Sequence, residues 1–503
     1  MLANIFRNPE LKRNAWLELK SNRILAMLGL IALAFVITTT ALDDNEYLKT
    51  EVVLMNTALF ILYLITGIWG SKNAADAVAD EINQKTWDRQ RMSGQSPFAL
   101  TIGKIFGPTL LQWLGGLSAM LVYFCAALFS ENVGESCING LIYMALVLLM
   151  NLSALLFSLL TITGSTQSAF SHAKINTTLF FILSVIGVGY ISFYLAALGE
   201  EKGAISWYGL IWNNLTILIS LLIFISWSCI GIHQNLRKEL QYRNTQNYWL
   251  AFLVFTGFYF YGFTSNFPIY SEDYSKTTYI APDIYGLNAL YYHLALVSLV
   301  FFLLTQFLLL FERPSENDYT LFLQALRKGK FKKAWQNAPL WFSAVSGLVL
   351  SLLLLFTLQI SELVRHQLPH IFRQLEILKY QHNFAWSFLA MVFLVLRDVF
   401  MTRTLLYRSK YKNKLLSLAL YYALIYWAVP LLFMIGARQN VTAENYFLPF
   451  FRAVGWFSPV VLAGQALVAW GLQRRYFTSH TINSNGASDI SSWRPPALRS
   501  LII

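Results

Sequence analysis

The chain has 503 residues, of which 56% are hydrophobic, 16% aromatic and 13% charged, with a formal net charge of +12. Soluble domains carry about 25% charged residues; this sequence instead repeats apolar stretches of about twenty residues, the length that crosses a hydrocarbon core. That excludes a soluble enzyme and a disordered chain, and three cysteines (Cys125, Cys137 and Cys229) support neither a disulfide framework nor a zinc-finger spacing.

In chain order, the first element is a short helix. Asn8 is a natural N-cap, Pro9 suits the first helical position, and Glu10 complements the positive end of the helix dipole. Leu11, Ala15, Trp16 and Leu19 share one face, the pattern of an amphipathic entry helix lying on a membrane leaflet within residues 1–23. Apolar windows follow at 24–42, 52–70, 105–130, 138–163, 178–198, 208–232, 248–264, 288–311, 340–360, 384–401, 415–436 and 450–471. A chain entering lipid satisfies its backbone internally, so these windows predict helices. The fold class expected is all-α, a polytopic bundle of about 12 transmembrane helices. Placing the N-terminus inside and alternating sides puts 29 of the 38 Lys and Arg residues on inner segments and 7 on outer ones. That asymmetry argues for both termini in the cytoplasm. It also assigns the positive charge to anionic lipid rather than to nucleic acid. The segments expected are the entry helix at 1–23, a six-helix unit at 24–245, a second at 246–471, and a cytoplasmic tail at 472–503.

The connection between the second and third spans, 71–104, is longer than a helical hairpin needs. Ala74–Thr86 reads as a helical extension of span two, with Glu81 and Lys85 spaced i,i+4. Ser93-Gly94 breaks the helix, and Ser96-Pro97 provides the N-cap and first turn of another that runs through Lys104 into span three. The tip carries Trp87, Asp88, Arg89, Arg91 and Met92. On the residues alone, a solvated hairpin with snorkelling charges fits as well as a docking element.

The pattern Glu-x4-Thr-x-Asp-x2-Arg-x4-Ser-Pro-x5-Gly-Lys, at Glu81, Thr86, Asp88, Arg91, Ser96, Pro97, Gly103 and Lys104, follows an amphipathic entry helix and two spans. In this it resembles the membrane (permease) subunits of bacterial type-two ABC exporters, over roughly residues 1–245. The resemblance implies that this loop holds a coupling helix seated in a separate ATPase subunit. Glu81, Asp88 and Arg91 would then make ionic contacts to the ATPase or within the loop, and Trp87 and Met92 apolar ones. Thr86 and Lys104 belong to the same motif, and Ser96 and Pro97 set the helix start. It implies an inner-membrane location and leaves open a dimer of permease chains.

The second half departs from the motif. Residues 319–339 read as a second amphipathic entry helix, but 402–414 has no Ser-Pro…Gly-Lys. The half is either a diverged repeat or an accessory bundle. No nucleotide-cradling Gly-rich loop, metal constellation or nucleophile elbow occurs, so the expectation is a transport subunit without catalytic residues or cofactor. His366 and His370 are four apart with Pro369 between them and read as interfacial, on the outer segment where Leu368, Ile371, Phe372, Leu375 and Leu378 share a face. The adjacent Arg397 and Asp398, near the cytoplasmic end of their helix, read as structural, either snorkelling and pairing locally or anchoring helices to one another. The mid-span amides Gln112, Asn151, Asn213, Asn214, Gln306 and Gln465 either line a cargo path or bond between helices. The competing readings are a secondary-active carrier with twelve helices and a membrane-embedded enzyme. Against the carrier stands the 15-residue loop at 233–247, where a carrier usually places its long one.

Overall fold

The computed structural model describes residues 8–42, 49–162 except 85 and 93, 205–265 except 209, 212, 241 and 243–246, 286–311, 316–367, 375–407, 420–425 except 423, and 457–485. Contacts group the chain into two compact units, one of residues 1–297 with 311–344 and the other of 298–310 with 345–503.

The first unit begins with α1 (Pro9–Glu18), capped by Asn8, whose Oδ1 accepts from the Glu10 N–H at 3.0 Å. Leu19 and Lys20 link it to α2 (Ser21–Leu42). The second span comprises α3 (Thr50–Leu62), a π-helical segment over Tyr63–Trp69, and α4 (Gly70–Asn83). After α5 (Trp87–Met92), Ser96 caps α6 (Pro97–Phe106) by accepting from the Ala99 N–H at 3.2 Å. A 3₁₀ turn at Gly107–Thr109, where Pro108 has no N–H to give, separates α6 from α7 (Leu110–Ala127). Then come α8 (Val133–Ile162), α9 (Asn214–Glu239) and α10 (Asn247–Tyr261). The main core lies among α4, α6, α8 and α9, where Val78, Leu100, Met150, Leu155, Leu159, Ile232 and Leu236 are buried together.

Three short strands interrupt the helical pattern: β1 (Ile205–Trp207), β2 (Leu210–Ile211) and β3 (Phe263–Ser265), antiparallel in the order β2-β1-β3. The expected span at 208–232 therefore starts later. Asn213 and Thr216 form a reciprocal capping box that fixes the first turn of α9 at Asn214.

The same unit contains α12 (Glu316–Arg327) and α13 (Phe331–Asn337). The sequence suggests one amphipathic helix here. Gly329, at φ +63, instead ends α12 by closing its last carbonyls, and Phe322, Ala325, Ala334 and Ala338 pack the two pieces into a hairpin. After α10 comes α11 (Gly286–Phe311), and after α13 comes α14 (Leu340–Gln367), each with residues assigned to both units. The second unit further holds α15 (Leu375–Tyr407) and α16 (Phe457–Asn485).

Among the described residues, five helices are long and apolar enough to cross a membrane: Ser21–Thr40, Thr50–Glu81, Pro97–Ala127, Val133–Leu160 and Asn214–Glu239. A sixth arises if Phe331–Asn337 and Leu340–Leu354, bent by 110°, form one span. The windows at 178–198, most of 415–436, and Leu368, Pro369, His370, Ile371 and Phe372 lie outside the described residues.

Candidate functional site

The loop at 71–104 folds back onto a buried cluster of charge. Lys104, on α6 and 1% exposed, donates to Glu10 Oε1 on α1 at 3.1 Å and to Glu81 Oε2 at the end of α4. Arg13, one turn along α1, donates to Glu10 Oε1 at 2.9 Å and to Glu81 Oε1 at 2.5 Å. Gln90 of α5 adds a bond from Nε2 to Glu81 Oε1 at 2.7 Å. Two carboxylates thus face two cations, and the formal charges cancel. Buried charge is tolerated only when paired in this way. The Lys104 ammonium also lies 5.7 Å from the centre of the Trp87 ring, within cation–π range.

Glycine makes the approach of α1 to α6 possible. A Cβ at Gly103 would fall 2.5 Å from Glu10 Cγ, and one at Gly107 would fall 2.4 Å from Asn14 Nδ2. Glu10 and Asn14, four apart on α1, therefore sit in notches four apart on α6 and the 3₁₀ turn that follows it, the small-x-x-x-small spacing that lets membrane helices approach. Asn8 adds a bond from Nδ2 to the Ala99 carbonyl at 2.6 Å. The inward side of α1 is consequently polar, with Glu10 2% exposed, while Trp16 is 80% exposed.

Of the residues the loop motif singles out, Glu81 and Lys104 are joined directly inside the cluster, and Trp87 is buried over it. Thr86 Oγ1 closes the end of α4 by donating to the Glu81 carbonyl at 3.1 Å. Ser96 and Pro97 start α6. Met92 points out, 79% exposed, beside the exposed Arg89. The backbones of Asp88 and Arg91 belong to α5, but their side chains lie outside the described residues, as does Lys85. The loop motif does not reveal Glu10, Arg13 and Gln90 as members of the cluster. The signal available was Glu10-x-x-Arg13, an i,i+3 pair on the entry helix.

The second unit holds its own buried pair. Arg397 and Asp398 contact each other at 2.9 Å. Asp398 accepts from Gln306 Nε2 and from the Tyr421 hydroxyl, both at 2.8 Å, and Arg397 Nη1 donates to Gln465 Oε1 at 2.8 Å. This network ties α11, α15 and α16 to the segment at 420–422, the anchoring role the adjacent pair suggests. Of the remaining amides, Asn213 caps α9, and Asn214 Nδ2 donates to Asn139 Oδ1 at 2.9 Å. Gln112 and Asn151 have no such partners among the described residues.

Compared with protein families, with curated proteins and with solved structures, the chain matches none.

Proposed function

We propose that this protein is the permease subunit of an ATP-driven exporter. It forms the translocation path and takes its power stroke from an ATPase on a separate chain. In this reading the bundle has about twelve spans in the inner membrane, both termini are cytoplasmic, and α5 is the coupling helix. The observation that carries the reading is the two-sidedness of α5. Its inner side, Trp87 and Gln90, rests on the charge cluster shared by the entry helix, span two and span three, while Arg89 and Met92 face outward. A push on the outer side reaches three membrane elements through one set of ion pairs, as coupling requires. Asp88 and Arg91 on the same helix supply the charges for docking.

Purification of the tagged chain from its native membrane in mild detergent tests this. The expected result is a stoichiometric ATP-binding subunit with measurable ATP hydrolysis. Joint replacement Arg89→Glu with Met92→Asp should remove that subunit while membrane insertion is retained. Charge reversal at Asp88 or Arg91 should weaken the association and uncouple transport. A chain that purifies alone, without ATPase activity, overturns the reading in favour of a secondary-active carrier.

A further inference from the structure

We propose that Gly70, Gln112 and Asn151 form a binding site for a neutral hydroxyl oxygen inside the first unit. Gln112 on α7 is 0% exposed and Asn151 on α8 is 3% exposed, yet neither the amide nitrogen nor the amide oxygen of either has a hydrogen-bond partner among the described residues. Both side chains border Gly70, Asn151 with its amide and Gln112 with its Cβ. A Cβ there would lie 3.3 Å from Asn151 Oδ1, 3.5 Å from Asn151 Nδ2 and 3.6 Å from Gln112 Cβ. Two buried side-chain amides without partners thus flank a patch that has no side chain of its own. Buried amides in native interiors find partners, protein or otherwise.

The backbone singles out the same place. The π-helical segment of span two ends at Trp69, directly before Gly70, and π-segments concentrate at functional positions. The 3₁₀ turn Gly107–Thr109 breaks span three one turn from Gln112. Thr66, within the π-segment, donates from Oγ1 to the Gln112 carbonyl at 2.9 Å, and the space it fills is free only because residue 116 is glycine. Thr66 thus holds the two irregular spans in register at the level of the amides.

The donor set defines the ligand. None of these residues carries a charge, so nothing balances an anion or a cation, and two amide oxygens are far fewer than a hard cation collects. A hydroxyl both donates and accepts, and one oxygen can accept from an amide nitrogen and donate to an amide oxygen. A resident water and the hydroxyl of a bound lipid or cargo molecule share this chemistry. The site stands whether or not an ATPase engages α5.

High-resolution cryo-electron microscopy of the full chain in nanodiscs, with native mass spectrometry of the same sample, tests this. An isolated peak about 2.7–3.2 Å from amide atoms of both residues supports the site with water as its occupant. A peak continuous with elongated density supports it with a hydroxylated ligand, given a bound mass that Asn151→Leu and Gln112→Leu each abolish. Direct bonding of the two amides to each other, or amides with no density between them, overturns the proposal. Both overturning results are read on the unmodified chain, so poor folding of a variant does not blur them.

Discussion

Lys104 is the residue on which the charge cluster turns: like Arg13 it touches both carboxylates, but it is enclosed where Arg13 is partly exposed. Removing one partner of a buried pair leaves an uncompensated charge, at a cost of about 3–5 kcal/mol. Lys104→Met should therefore lower the melting temperature of the purified protein in detergent strongly. Adding Glu81→Gln should recover part of the loss, since one orphaned carboxylate is then neutral. Gly103 and Gly107 should differ. The Gly103 Cβ meets Glu10 in the middle of a side chain pinned by two cations, whereas the Gly107 Cβ chiefly meets the amide end of Asn14, which can swing away. Gly103→Ala is expected to cost about 1–3 kcal/mol by overpacking and Gly107→Ala less, as compared by thermal unfolding of the two variants.

At the level of elements, the entry helix is held by its polar side. Trp16 faces away from the cluster, on the side where bilayer contact would be made. Elsewhere, Lys49, just before α3, pairs with Glu131 in the turn between α7 and α8. The Lys49 hydrogen bond, followed by its charge, lowers the Glu131 pKa, and Glu131 in the same way raises that of Lys49. The sign follows for each. The Glu131 contribution is present above the ordinary carboxylate range and is lost as pH falls through the depressed value. The Lys49 contribution is present below the ordinary lysine range and is lost as pH rises through the raised one. Both groups are fully exposed, so the effect is small and screened by salt. Melting curves of Glu131→Gln and the unmodified protein should differ slightly at neutral pH in low salt and converge in strong acid and in high salt.

For the whole molecule, five of the described helices, between α2 and α9, are long and apolar enough to cross a membrane, and the distribution of lysine and arginine predicts which ends lie together. Single cysteines introduced at Arg89 and at Lys328, in a background lacking Cys125, Cys137 and Cys229, should both react with a membrane-impermeant maleimide in inside-out vesicles and neither in right-side-out ones. Labelling of the two from opposite sides would break the alternation of spans on which the charge argument rests.

The sequence by itself determined what is local. Asn8-Pro9 and Ser96-Pro97 start helices because a cap and its amide are two or three residues apart. Apolar runs of about twenty residues need no partner to declare a membrane solvent. The motif at 81–104 also marked Glu81 and Lys104, but not what they touch. Lys104 and Glu10 are separated by 94 positions, Arg13 and Glu81 by 68, and no periodicity connects such distances. Glu10 accordingly reads as a helix-dipole residue until α1 is laid against α6. The amides show the same limit. In sequence, Gln112, Asn151, Asn214, Gln306 and Gln465 are equivalent polar residues in apolar runs. Tertiary packing gives Asn214, Gln306 and Gln465 partners and leaves Gln112 and Asn151 bordering Gly70. A hydrogen bond is decided by geometry across helices, and only the folded chain supplies that geometry.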